Sequence, residues 1–405
     1  MQFYEVIIIG SGITGASLAY ELVQLGVSVL LIEQHESSPS ATRYSYGGIS
    51  YWAGMTDLTR SLAAESLEIH RQNVAALDLP TEFRELPLIG TISHAQDPIA
   101  VLKTYAHFTK QPQLLTPAEA VELEPLLNPD GIAAALLMPY AQINPIATAN
   151  AYCQTMVRLG GQRAYDQVLT IRSESDGVRV HGKLETYHGD RVILCTGGGT
   201  RALLRDSGVA IRQYFSHAES IETDPCCDLQ MRSVVMPAEI RRFELERSAA
   251  IDDGPWEAGL TGHNQDLTPP ILDAGALQFT DSSFRFGQIS RTQTSLAAIS
   301  SPEASEQWIR SGLAKILPKV AQVPGRWVTC TVAFSADQLP LVGPVGADRR
   351  VQVFSGFSNP MAMVPATAKR FARQLVSDQN LVSSEDDQGL HTLLPLRFEM
   401  SSIST

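Results

Sequence analysis

Residues Met1 to Glu33 constrain this chain more than any other stretch. Val6-Ile7-Ile8-Ile9 is a short apolar run rich in β-branched residues, and Gly10-Ser11-Gly12-Ile13-Thr14-Gly15 follows at once. Ala16 to Leu22 is helix-like, then come Gly26, a second apolar run from Val27 to Ile32, and Glu33. The order is strand, glycine turn, helix, strand, acid. An unbroken apolar run suits a strand buried on both faces of a parallel sheet. Gly10 permits the tight turn, Gly12 lets backbone N–H groups approach a pyrophosphate, and Gly15 lets the helix pack close to the strand. The helix N-terminus offers partial positive charge to the phosphates. Glu33 ends the second strand, where a carboxylate can accept both hydroxyls of a ribose. The stretch predicts a dinucleotide site and leaves NAD or FAD open.

The bulk numbers narrow the class. The 405 residues suit one large or two interleaved domains. A net charge of −12 and the lack of a basic stripe argue against nucleic acid as a partner. Five cysteines (Cys153, Cys195, Cys226, Cys227 and Cys330) are scattered without a CxxC, which argues against a disulfide framework or a structural zinc site. The first strand begins almost at Met1, so no signal peptide is expected, and no apolar run has the length of a membrane span. A cytoplasmic protein is the expectation.

Along the chain, the loop Gln34 to Ile49 is long for a simple connection and rich in Ser, Thr, Arg and Gly, as if laid against a ligand. Helices are expected over 57–77, 97–109, from an opening at 141–145 to about 159, and over 201–206, 305–316 and 366–376. Thr116-Pro117-Ala118-Glu119 is a capping box that opens another. Strands are expected over 88–93, 133–138, 168–171, 178–180, 190–195 and 327–334, with short apolar strands again within 337–344 and 351–356. A hairpin is expected around Asp281-Ser282, between 277–279 and 283–289. The polar Gly/Pro-rich segment 252–270 reads as a surface insertion, with a lid as the competing reading.

Taken together, four stretches resemble the D-amino-acid oxidase superfamily of FAD-dependent oxidoreductases, in its glycine oxidase and sarcosine oxidase branch. They are Ile9–Gly15 with Glu33; Thr42 to Ile49; Ile143-Asn144-Pro145 with Val168 and Val192–Gly197; and Asp337-Gln338-Leu339-Pro340-Leu341-Val342-Gly343 with Gly356–Met361 and Pro365-Ala366-Thr367. A nicotinamide enzyme has no reason to return to its first sheet near the C-terminus with such a turn, so the resemblance points to FAD. The fold it implies is α/β: a Rossmann-like FAD-binding domain and a second α+β substrate domain carrying an antiparallel sheet. Residues 1–81, 140–210 and 325–376 would form the first, 82–139 and 211–324 the second, and 377–405 a loosely held tail.

The resemblance implies cofactor contacts at Gly10, Ser11, Gly12, Ile13, Thr14, Gly15, Glu33 and Gln34. It implies further contacts at Thr42, Arg43, Tyr44, Ser45, Gly47 and Gly48, and at Thr196 and Gly197. Val168 would lie near the adenine, with a core strand valine as the competing reading. Gly356, Ser358, Asn359, Pro360 and Met361 would run beside the isoalloxazine. Tyr46, Tyr51, Trp52 and Met55 would reach the substrate side, with aromatic packing at a domain seam as the alternative. The implied reaction oxidises the C–N bond of a small amine or amino acid by hydride transfer to flavin, with oxygen, a quinone or another carrier as electron acceptor. The flavin carries the chemistry, so no catalytic side chain and no metal is expected. A dehydrogenase of a 2-hydroxy acid and a flavin-binding protein without turnover are the alternatives.

Two departures from the family stand out. Its relatives carry an arginine shortly before the D-x-x-P-x-x-G turn to clamp a substrate carboxylate; here Val332 falls about there, leaving Arg241, Arg242, Arg285 and Arg291 as candidates. Pro360 stands where relatives often have Gly. Cys330 has the spacing of a thioether-linked flavin, but its surroundings match that subfamily poorly, and non-covalent FAD is expected. His217 is assigned no role.

Overall fold

The structure, a computed structural model, describes residues 2–36, 40–226, 228–297, 300–346, 349–379 and 389–400. Ser37–Pro39 of the long loop, Cys227 and the acidic Ser384–Asp387 stretch lie outside the described residues. The strands in chain order are β1 (Phe3–Ile9), β2 (Val29–Glu33), β3 (Gly48–Ile49), β4 (Arg84–Ile92), β5 (Gln113–Leu115), β6 (Ala134–Gln142), β7 (Gln162–Tyr165), β8 (Val168–Glu174) and β9 (Gly177–Gly182). They continue with β10 (Thr186–Leu194), β11 (Gln213–Glu222), β12 (Val234–Pro237), β13 (Ile271–Gln278), β14 (Phe284–Arg291), β15 (Arg326–Ser335), β16 (Leu341–Pro344) and β17 (Val351–Ser355). The helices are α1 (Ile13–Gln24), α2 (Ala41–Tyr44), α3 (Asp57–Ala76), α4 (Pro98–Thr104), α5 (Pro117–Leu123), α6 (Pro145–Arg158), α7 (Thr200–Asp206), α8 (Arg242–Ala249), α9 (Gly254–Leu260), α10 (Pro302–Leu313), α11 (Pro360–Gln379) and α12 (Arg397–Met400).

These strands form two sheets. The first runs β16-β17-β10-β1-β2-β7, with β9 and then β8 attached to β10. Its centre, β17-β10-β1-β2-β7, is parallel, and β1 and β2 are buried almost throughout. Helices α1, α3, α6 and α11 supply the apolar layer against it, from Leu18 and Leu22 to Tyr152, Met156 and Phe371. The second sheet runs β15-β11-β14-β13-β12-β4-β6-β3 with β5 on β6, antiparallel except for β12 beside β4. Its far face packs on α10 through Phe284, Phe286, Ile289, Ile309 and Leu313.

Several expectations change here. Strand β6 runs on through Pro139 to Gln142 instead of stopping before the proline. Pro139 lies opposite Pro87 and between the stretches that pair with β5 and β3, so its missing N–H leaves no ladder bond unmade. Helix α4 ends at Thr104. Helix α11 starts at Pro360 and continues through Pro365, six residues before its expected start. Strand β15 pairs along its length with β11, so it belongs to the second sheet, whereas the expectation places 325–376 in the FAD-binding domain. The insertion 252–270 contains α9, whose Trp256 is buried against Tyr214, Phe215 and Phe334. The expected loose tail is also corrected in part. Leu390 and Leu393 are buried, and Arg397 donates to both Asp337 oxygens at 2.7 and 2.9 Å. The capping box is present at Thr116 and Glu119.

Candidate active site

Three loops leave the C-terminal ends of the neighbouring parallel strands β1, β10 and β17, the edge where open α/β sheets bind ligands. After β1, Gly10 has φ +98°, and a Cβ on it would lie 2.6 Å from the Cys195 carbonyl oxygen. A Cβ on Gly15 would lie 1.9 Å from the Gly10 oxygen, so α1 approaches the strand only because residue 15 is glycine. Helices α3, α5, α6 and α10 are capped by Thr56, Thr116, Asn144 and Ser301. Helix α1 has Gly12 at its N-cap, no side-chain cap and no acid in its first turn. Its end is thus left free to meet an anion. Among the described residues, Thr42 Oγ1 accepts from Ile13 N at 3.0 Å, and the Thr14 hydroxyl reaches the Cys195 carbonyl at 3.5 Å.

Glu33 stands at the end of β2. Its Oε2 accepts from Ser11 N (2.8 Å) and Ser11 Oγ (3.1 Å), and its Oε1 from Gln34 N (2.9 Å). Arg163 of β7, which the sequence does not single out, donates to Ser11 Oγ at 3.2 Å and lies over the Tyr165 ring. Its buried Nε has no hydrogen-bond partner among the described residues. Val168 opens β8, two residues after Asp166 donates its N–H to the Glu33 carbonyl at 2.9 Å. The Thr196 hydroxyl meets Thr200 Oγ1 at 3.0 Å, and the Gly197 carbonyl accepts from Thr200 Oγ1 and Gln213 Nε2 at 2.8 Å each.

The 40–48 loop is stitched to the second sheet. Arg43 pairs with Glu222 at 2.5 Å, and the Ser45 carbonyl accepts from Arg285 Nη1 at 2.6 Å. Tyr44 lies under Arg43 and Arg285. A Cβ on Gly47 would lie 2.0 Å from the Ile143 oxygen, and one on Gly48 would lie 1.7 Å from the Tyr140 hydroxyl, so neither position admits a side chain as packed. After β17, Gly356 has φ +77°. The Ser358 hydroxyl donates to the Gln338 carbonyl at 3.3 Å, Asn359 Nδ2 to Ser50 Oγ at 2.9 Å, and the Met361 carbonyl accepts from His70 Nε2 at 2.8 Å.

The substrate-side candidates divide. The Tyr46 hydroxyl is buried without a partner among the described residues; burial raises its pKa, with Arg285, Asp273 and Tyr140 nearby. Tyr51 packs half-buried at the edge of the large core. Trp52 is a packing residue: its indole donates to the Pro139 carbonyl at 2.8 Å and its ring meets Tyr105 and Phe108. Met55 is exposed. The thiol of Cys330 is buried, which pushes its pKa up to about 12 against Arg285 and Arg242, the opposite of an activated nucleophile. His217 bonds the Ser295 carbonyl at 2.8 Å, a structural role.

The four candidate arginines also separate. Arg291 pairs with Glu219 at 2.5 Å and reaches Ser305 of α10, on the far face of the sheet. Arg285 is committed to Glu222 at 2.8 Å and to Ser45. Arg241 is 57% exposed. Arg242 donates to the Ser358 carbonyl at 2.9 Å, in the loop after β17. Its Nε lies 3.6 Å from Glu246 Oε1, too long for a hydrogen bond. Glu246 Oε1 accepts from Ser216 Oγ at 2.7 Å, and Ser216 pairs with Val332 across β11 and β15. Paired residues share a sheet face. A cation therefore reaches the neighbourhood of Val332 from α8 instead of from the strand.

Glu246 is fully buried and Asp273 nearly so; burial raises both carboxyls above their ordinary range, with Arg242 and Ser216 opposing at Glu246, and the Arg241 and Arg242 amides opposing at Asp273. Both acids escaped the sequence reading, since neither stands in a motif.

The model of the DAO family, FAD dependent oxidoreductase, matches residues 5–374. The chain belongs to that family. Its cofactor is FAD, and the uncapped α1 terminus, the glycine cradle and the Glu33 carboxylate fit one. Mouse mitochondrial sarcosine dehydrogenase is 23% identical over 63% of this chain and 29% of that protein. The formaldehyde-forming 4-methylaminobutanoate oxidase of Paenarthrobacter nicotinovorans is 30% identical over 54% of this chain and 28% of that protein. The chain thus spans under a third of these relatives. The crystal structure of glycine oxidase from Geobacillus kaustophilus superposes with a TM-score of 0.77 at 19% identity, covering 98% of this chain and 99% of that one, which shows the shared fold. Among the described residues no helix is long and apolar enough to cross a membrane, and no His/Cys/Asp/Glu group could hold a metal.

Proposed function

We propose that this protein oxidises the C–N bond of a small amine that carries a carboxylate. The observation that carries the reading is Arg242, set against the Ser358 carbonyl and beside the Ser216–Val332 pair. The relatives named above act, by their names, on sarcosine, 4-methylaminobutanoate and glycine, each an amine with a carboxylate. FAD binding is assigned to the loops along the edge of the first sheet and to the 40–48 loop, at Gly10–Gly15, Glu33, Gln34, Thr42–Ser45, Gly47, Gly48, Val168, Thr196, Gly197, Gly356 and Ser358–Met361. The near face of the second sheet covers substrate. The free state of Cys153, Cys195, Cys226 and Cys330 supports a reducing, cytoplasmic setting.

Bound FAD supplies the hydride acceptor. The chain's residues orient the reacting carbon. Arg242 holds the carboxylate with charge-assisted hydrogen bonds, and Glu246 steadies its guanidinium. The amine binds neutral, its lone pair forms the C=N bond of an iminium as hydride leaves the adjacent carbon, and water adds to that carbon to release the amine and a carbonyl compound. Under this scheme no side chain acts as general base.

Loss of a charged hydrogen-bonded partner costs about 1.5–3 kcal/mol, so Arg242→Met should raise KM for a carboxylated amine roughly 10- to 150-fold. Anaerobic flavin bleaching by sarcosine and by dimethylamine provides the comparison. A loss confined to sarcosine supports the reading; equal behaviour of both amines in wild type and Arg242→Met overturns it. Bleaching by 2-hydroxy acids alone would favour oxidation of a C–OH bond.

A further inference from the structure

Helix α11 contains Pro365, well inside the helix. A proline there has no N–H to give the carbonyl four residues back, and its ring pushes against that carbonyl. The Met361 carbonyl is therefore left without its helical donor. Groups on α3 meet both that carbonyl and the N–H that follows the proline. His70 Nε2 donates to the Met361 carbonyl at 2.8 Å, and Ser66 Oγ accepts from Ala366 N at 3.1 Å. Ser66 and His70 are four residues apart, so they stand one turn apart on one face of α3. Both are fully buried, and Ser66 is small enough for the helices to approach. The imidazole lies parallel to the Phe83 ring with 6.5 Å between centroids, and its Nδ1 has no partner among the described residues. Its one polar contact is therefore the carbonyl in the first turn of α11.

The start of α11 carries the N–H groups of Met361 and Ala362, which an α-helix leaves without intrahelical partners; Pro360 has none. A proline inside a helix weakens the coupling of the preceding turn to the rest of the helix, so the aim of that turn depends on whatever holds the Met361 carbonyl. We propose that His70, with Ser66, is a positioning residue for the cofactor: it sets the direction in which the first turn of α11 points its N–H groups at the bound flavin. This rests on the assignment of Gly356 and Ser358–Met361 to the flavin under the proposed function. Helix N-terminal N–H groups favour negative charge, so their aim affects how readily the flavin accepts an electron pair.

The test uses the full chain as His70→Ala, His70→Gln, Pro365→Ala and the double variant His70→Ala/Pro365→Ala. Two quantities are read: the FAD dissociation constant of the apoprotein, and the affinity of the FAD-saturated protein for sulfite, which follows the electron affinity of the flavin. His70→Ala is expected to weaken sulfite binding about tenfold. His70→Gln, which keeps an N–H donor, should stay within about twofold of wild type. Pro365→Ala restores a backbone N–H for the Met361 carbonyl, so the double variant should recover to within about threefold. Unchanged sulfite affinity in His70→Ala overturns the proposal, as does a double variant no better than His70→Ala. Should His70→Ala not fold, Ser66→Ala with and without Pro365→Ala repeats the comparison at the Ala366 N–H. Wild-type protein that takes up no FAD overturns the functional reading and this proposal with it; wild type that binds FAD beside an unaffected His70→Ala overturns this proposal alone.

Discussion

At the scale of single residues, His70 makes stability depend on pH in a calculable direction. Burial lowers its pKa from the ordinary value near 6.5 to about 4, with the Met361 carbonyl opposing weakly. Between those values the unfolded chain binds a proton that the fold refuses, so stability falls as the pH drops through that window and levels off below it. The shift corresponds to on the order of 3 kcal/mol. Urea unfolding of wild type and His70→Gln at pH 7 and pH 4.5 should show a smaller loss for the variant; parallel losses would refute the assignment. His70 was invisible in the sequence because its partner lies 291 residues away. Gly10 and Gly15 were legible because their demands are local: the Gly15 Cβ would collide with a backbone oxygen five residues earlier. The four arginines looked alike for the opposite reason. What distinguishes Arg242 from Arg285 is Glu222, 63 residues before Arg285, which no periodicity announces.

At the scale of elements, local rules failed where tertiary partners could override them. Proline stops a strand or helix only if the missing N–H is missed. Pro139 has another proline opposite it, and α3 supplies what Pro365 lacks. The polar segment 252–270 reads as a plain insertion by composition, yet α9 is held by Arg201 of α7. That guanidinium, only 6% exposed, donates to both Asp253 oxygens at 2.8 and 3.0 Å and also pairs with Glu257. Arg201→Met should strip two carboxylates of their partner and release α9. Both acids are partly solvated, so the cost is about 1–2 kcal/mol, less than for a fully buried pair. Limited proteolysis between 252 and 263 should accelerate several-fold in that variant. A cleavage rate equal to wild type would mean that Trp256, buried in its aromatic cluster, holds α9 without the ion pair.

Across the whole molecule, one carboxylate helps tie the 40–48 loop to the second sheet. Glu222 ends β11, and three arginines converge on it: Arg43 from the 40–48 loop at 2.5 Å, Arg285 from β14 at 2.8 Å and Arg326 from β15 at 2.8 Å. Burial works against its charge, but Arg326, Arg43 and Arg285 hold its carboxyl below the ordinary range. Three cations around one anion leave a local excess of positive charge, so the cluster holds only while Glu222 is ionised. Arg285, 3% exposed, cannot turn to water, whereas Arg326 is 70% exposed and contributes little. Glu222→Gln should therefore destabilise the protein by about 2–3 kcal/mol, most of it from Arg285 left without a counter-charge. Because repulsion among the arginines is screened by salt, raising sodium chloride to about 1 M should return part of that loss in the variant and little in wild type. A carboxyl with a depressed folded pKa stabilises above its unfolded pKa, about 4.3, and loses that contribution as pH falls through the folded one. The gap between wild type and Glu222→Gln should accordingly close in acid below about pH 4. A gap independent of both salt and pH would show that Glu222 acts through its shape and hydrogen bonds, not its charge.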